Sequence, residues 1–132
     1  MRFNILERIM ILGVLPKQSD FVSMKIIDDL QRAVGFSQSE LDKYNIKNHP
    51  DGSVSWDKTF DKEIKVTMRA AEIIKENLIK LSETKMVTAQ HLSIYEKFGV
   101  KIEVKVEDAI KQHEMEKEYI GEKDVKNTKV RK

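Results

Sequence analysis

The sequence predicts a mainly α-helical fold with minor β structure: about five helices around one core, and a small β-hairpin between helices three and four. Three observations carry this expectation. Apolar residues recur three and four apart in successive stretches, each with its own start and stop signals. Around His49-Pro50-Asp51-Gly52 the pattern switches to strict alternation. Beyond Phe98-Gly99 the stripes fade into Lys and Glu. That change divides the chain into a compact helical domain at 1–98, with the hairpin at 45–56, and a charged, weakly structured or disordered C-terminal tail at 99–132.

The first helix opens at Asn4, with Glu7 three residues on as in a capping box. Ile5, Leu6, Ile9, Met10 and Leu12 make it apolar nearly all round, so it belongs at the centre of the core. Gly13 is expected to end it, and Pro16 prevents resumption. Ser19 or Asp20 caps the second helix, whose expected buried face is Val22, Ile26, Leu30, Ala33 and Val34. Gly35 closes it. Ser37-Gln38-Ser39-Glu40 is a capping box for a short third helix with Leu41 and Tyr44.

Pro50 presets φ and Gly52 accepts positive φ, so 49–52 is a turn. Asn45-Ile46-Lys47 and Ser53-Val54-Ser55-Trp56 flank it as the arms of the hairpin, and Ile64 with Val66 suggests a third short strand. Thr67 caps the fourth helix, with Ala71, Ile74, Leu78 and Leu81 in its stripe, widened by Met68 and Ile73. Thr88 caps the fifth, with Leu92, Tyr95 and Phe98 on one face. In the tail, Ile102, Val104 and Val106 alternate with charges like a strand, and a weak helix follows to about Tyr119. Beyond Gly121 only Val125 and Val130 are apolar, which predicts disorder.

Composition bounds function. The 132 residues fit one domain, and 24 Lys and Arg nearly balance 22 Asp and Glu, for a net charge of +2. That balance argues against a protein that lives on nucleic acid, which carries a basic excess or stripe. Without cysteine there is no disulfide, zinc thiolate or thiol nucleophile. The apolar run Ile9–Leu15 is too short to span a bilayer, and Glu7 and Arg8 interrupt the N-terminal stretch just before it, against a secretory signal. The expectation is a soluble, cytoplasmic protein that uses no membrane and no cofactor.

Four features carry candidate sites. Residues 24–44 resemble a helix-turn-helix: a helix, Gly35 in the turn, and a short second helix offering Gln38, Ser39 and Lys43, with Lys47 beyond, to base edges and phosphates. Against it, Gln31 stands where that motif has a small residue, and Glu40 and Asp42 would repel phosphate; these residues favour an ordinary helix-Gly-helix corner with a good cap. His49, His91 and His113 lack neighbours at metal-ligand spacing. Trp56, on the hairpin, is either a binding anchor or a core plug. The tail strand Ile102, Val104 and Val106 offers an edge to a protein partner or to a second copy.

The order Ile5-Leu6-Glu7-Arg8, Leu12-Gly13-Val14-Leu15-Pro16, Phe21, Lys25-Ile26-Ile27, Leu30, Asp51-Gly52-Ser53-Val54-Ser55-Trp56 and Leu92-Ser93-Ile94-Tyr95-Glu96-Lys97-Phe98 resembles small helical proteins of bacteriophage and prophage genomes. The likeness covers 1–98, implies a bacterial host cytoplasm, and carries over no activity and no site residue. Taken together, the residues lead to a non-enzymatic protein–protein interaction or accessory protein, and the resemblance implies a phage or prophage type. The alternative is a helix-turn-helix-like DNA-binding regulator.

Overall fold

A computed structural model describes residues 1–100 and 106–116. The chain divides into two units, Met1–Val100 and Lys101–Lys132. The first is mainly helical with two small antiparallel sheets, the fold class that the periodicity implies. Its elements are β1 (Arg2–Phe3), α1 (Ile5–Val14), α2 (Phe21–Val34), α3 (Gln38–Lys43), β2 (Lys47–Asn48), β3 (Val54–Ser55), β4 (Lys62–Glu63), α4 (Met68–Glu83), a 3-10 turn (Ala89–His91) and α5 (Leu92–Phe98). The second unit contributes α6 (Val106–Met115), on which Ile110 and Met115 are exposed.

Capping chemistry places the helices where the sequence puts them. Asn4 and Glu7 form the reciprocal box on α1, and Ser37 and Glu40 form the second box on α3. Asp20 and Thr67 accept backbone N–H groups at the starts of α2 and α4. α1 is central: it packs on α2, α4, α5, β1 and the 3-10 turn. Around it Phe3, Ile11, Ile27, Leu30, Val34, Ile64, Ile74, Leu78, Ile94 and Phe98 form one core. Phe3 stacks on Phe98 with ring centroids 5.9 Å apart.

Several expectations need correction. Gly13 does not end α1, which runs on to Val14. The stop comes from Pro16, which forces Leu15 into an extended conformation with ψ 135°. On α2 the buried face is rotated: Val22 is exposed, and Ser23 and Ile27 are buried with Leu30 and Val34. On α4, Ala70 and Ile73 join Ile74 and Leu78, while Met68 is exposed. On α5 the buried residues are Ile94 and Phe98, and Leu92 faces out. The helices follow the periodicity, with the buried faces of α2, α4 and α5 shifted by one or two residues; Thr88 opens the 3-10 turn, and α5 itself starts at Leu92 without a side-chain cap.

The hairpin forms as expected, with Lys47 opposite Ser55 and Asn48 opposite Val54. Gly52 takes φ 88° in its turn. The third strand lies at Lys62–Glu63 instead of Ile64–Val66, and it pairs with β1, some 60 residues away, instead of with the hairpin. Val106 is not strand but the first residue of α6. Ile102 and Val104, and the disorder expected past Gly121, lie outside the described residues.

Candidate interaction surface

The candidate surface is built on the corner between α2 and α3, and that corner is held from inside by Arg8. The Arg8 side chain is completely buried. Its Nε–H donates to the Val34 carbonyl at 2.9 Å, and its Nη2 to the Gly35 carbonyl at 2.6 Å. These are carbonyls at the C-terminal end of α2, where the helix leaves acceptors unsatisfied and carries partial negative charge. The same guanidinium takes Glu40 in a bidentate pair, at 2.8 and 3.1 Å, and lies 4.1 Å over the Phe36 ring. Arg8 thereby ties α1, the end of α2 and the start of α3 to one group. Its hydrogen bonds hold the Glu40 carboxyl down at a pKa of about 2 against the pull of burial, with help from the Ser37 N–H and Lys62.

Gly35 serves the corner for a different reason from the one the motif suggests. Its φ is −63°, open to any residue, so no left-handed turn occurs there. The need is space: a Cβ at this position would stand 2.7 Å from the Gln31 carbonyl oxygen.

A second ionic cluster sits beside the first, one residue earlier on α1. Glu7 is buried, and burial alone would raise its pKa. Hydrogen bonds from Lys97 at 2.8 Å, from the Ser93 hydroxyl and from the Asn4 N–H outweigh that and lower it. Lys97 also donates to the Arg2 carbonyl. This cluster clamps α5 onto the start of α1.

The outer face of the corner carries the nucleic-acid candidates. Gln38, Ser39, Lys43 and Lys47 are all exposed. Gln38 Nε2 donates to Asp42 at 3.0 Å, and Lys43 lies 5.5 Å over the Tyr44 ring. Glu40, expected to repel phosphate, is turned inward to Arg8 and Lys62 instead. The exposed charges of α2 and α3 remain mixed in sign: Lys25, Arg32 and Lys43 alternate with Asp28, Asp29 and Asp42.

No protein-family model, curated protein or solved structure matches the chain.

Trp56 follows β3 and is half-buried, between the two roles that its residue type allows. Beneath the hairpin, Tyr44 is buried and stacks on Phe60 with centroids 5.0 Å apart. His49 hydrogen-bonds Ser55 across the hairpin, and His91 Nδ1 accepts from the Thr88 N–H, so both act locally. Among the described residues no group of three His, Cys, Asp or Glu could hold a metal. None of the described helices is long and apolar enough to cross a membrane.

What sequence reasoning missed is the outward start of α2. Asp20 accepts the Ser23 N–H at 2.9 Å and the Ser23 hydroxyl at 2.8 Å. That double contact turns Ser23 into the protein and leaves Phe21 and Val22 outside, 74% and 63% exposed. The signal was available: Asp20 and Ser23 stand three apart, N-cap to N3, and choosing Asp20 over Ser19 as the cap fixes which residues face inward.

Proposed function

We propose that this protein is a non-enzymatic interaction protein that works by protein–protein contact in the cytoplasm, in a phage or prophage setting. The observation that carries the reading is the exchange at the start of α2. A small polar side chain, Ser23, occupies the inward position, and an aromatic and a branched residue, Phe21 and Val22, stand in water. Burying a residue such as Phe stabilises by roughly 1.5–3 kcal/mol, and the fold leaves that unused. Adjacent exposed apolar side chains of this size fit an anchor for another protein surface. The two inward-turned carboxylates support the non-enzymatic part. Glu7 and Glu40 are held ionised by cations and hydrogen bonds, the opposite of a general base poised near neutral pH.

Affinity capture from a bacterial host with the full chain, set beside Phe21→Glu, tests this. The expected result is a defined protein, or the chain itself, retained by the wild type and lost with the variant. Identical capture by both, or turnover in a broad hydrolase and nucleotide screen, overturns the reading.

One observation favours a second reading, DNA binding by α3. With Glu40 neutralised internally, the outer face of α3 presents Gln38, Ser39 and Lys43 beside Lys47. A duplex titration at low salt decides it. On this reading, Lys43→Ala weakens binding on all sequences and lowers the salt slope by about 1. Binding that ignores salt, or no binding, excludes it.

A further inference from the structure

The outward face of α2 carries a charge order that complements itself when reversed. At 3.6 residues per turn, positions 21, 25, 28 and 32 fall within roughly 60° of one another on the helix. All four side chains are exposed. Read along the chain they are aromatic, positive, negative, positive: Phe21, Lys25, Asp28, Arg32. Lys25 and Asp28 lie equally far from the midpoint between Ile26 and Ile27, and so do Phe21 and Arg32.

We propose that this face is a contact between two copies of the chain, with the two α2 helices antiparallel about a two-fold axis at that midpoint. The proposal rests on the protein-contact reading above and names its partner. In this register Lys25 of each copy meets Asp28 of the other, and Phe21 of each meets Arg32 of the other, so every pairing occurs twice. Parallel pairing would set Lys25 against Lys25 and Asp28 against Asp28, which repel; the charges select the antiparallel arrangement. The partner groups are already matched within one chain: Arg32 lies 3.0 Å from Asp28, and Lys25 lies 5.2 Å from the centre of the Phe21 ring. Dimerisation exchanges these contacts for equivalent ones from the other copy while covering Phe21 and bringing Val22 to the rim. Asp29, at the edge of the stripe, adds a second carboxylate near Lys25 of the other copy.

The contact is small. A helix of 14 residues is about 21 Å long, and one such pair covers less than the ~1,200–2,000 Å² of a tightly bound complex. A reversible, concentration-dependent dimer that loosens as salt rises follows from that size and from exposed charge pairs.

Sedimentation velocity on the full chain tests it, with circular dichroism confirming that each variant is folded. Wild type is expected to shift from monomer towards dimer as concentration rises. Lys25→Glu alone and Asp28→Lys alone are each expected to stay monomeric, because both 25–28 pairings then set like charges against each other. An equimolar mixture of the two variants is expected to recover the dimer, since the carboxylate introduced at 25 meets the ammonium introduced at 28 and the remaining native pair is intact. Wild type that stays monomeric throughout overturns the proposal. A mixture that stays monomeric while wild type dimerises overturns it as well, because another surface is then responsible. If wild type is monomeric but Phe21-dependent capture of a different protein persists, the self-contact fails and the protein-contact reading stands.

Discussion

Replacing Arg8 with methionine removes the group on which three helices converge and keeps most of its apolar volume. The structure fixes what is lost: hydrogen bonds to the Val34 and Gly35 carbonyls, and two to Glu40. The carbonyls are left without those donors, and Glu40, 15% exposed, keeps only the Ser37 N–H and Lys62 at 3.7 Å. Breaking a buried pair from one side typically costs about 3–5 kcal/mol. A small domain has only about 5–15 kcal/mol in total, so Arg8→Met should remove about a fifth or more of it. Urea denaturation followed by helical circular dichroism measures this, read as a lower midpoint at unchanged slope. The acid limb gives an independent reading. The folded Glu40 carboxyl sits at about 2, below its ordinary value of 4.5. A depressed carboxylate contributes stability above the unfolded value and loses it as pH falls through the folded one. Wild type should therefore lose up to about 3 kcal/mol from this group between those two pH values, at 1.36 kcal/mol per unit. Arg8→Met should lose clearly less there. A variant within about 1 kcal/mol of wild type, with the same acid limb, would refute the claim that Arg8 holds the corner.

Three further substitutions test the packing. Leu78 is fully buried in the middle of α4, so Leu78→Ala should cost about 2–5 kcal/mol in the same urea assay. Gly35→Ala brings a methyl against the Gln31 carbonyl and should cost about 1–3 kcal/mol, and equal stability would mean the α2–α3 corner is more open than described. Gly99 ends α5 with φ 58°, a conformation that costs an ordinary L-residue roughly 1–2 kcal/mol; Gly99→Ala should lower the melting temperature accordingly.

Much of the helical fold was legible because its signals are local. The two capping boxes, the Pro16 stop and the turn at Pro50-Asp51-Gly52 each act within a few residues. What was hidden depends on partners far along the chain. Arg8 reads as a surface charge until Val34 and Glu40 are beside it, and Glu7 reads only as a cap until Ser93 and Lys97 arrive. A hint existed, since these two adjacent charges interrupt an otherwise apolar helix. β1 and β4 are two residues each, too short to show alternation, and they pair across most of the domain. The helix faces slipped by one or two residues because periodicity measures spacing, while caps such as Asp20 fix rotation. The α2 surface was missed for that reason: with Val22 assigned to the core, the stripe through Phe21, Lys25, Asp28 and Arg32 reads as a plain solvated face.

The central claim, that this chain acts through the outward face of α2, is tested most directly by zero-length carbodiimide cross-linking of mixed nitrogen-15-labelled and unlabelled chains. That chemistry joins an amine to a carboxylate only where they touch. A mixed-label cross-link between Lys25 of one copy and Asp28 of the other is expected, lost when Phe21 is changed to glutamate. A Lys25–Asp28 cross-link found only within single-label chains, or mixed-label cross-links found only at other residues, would contradict it.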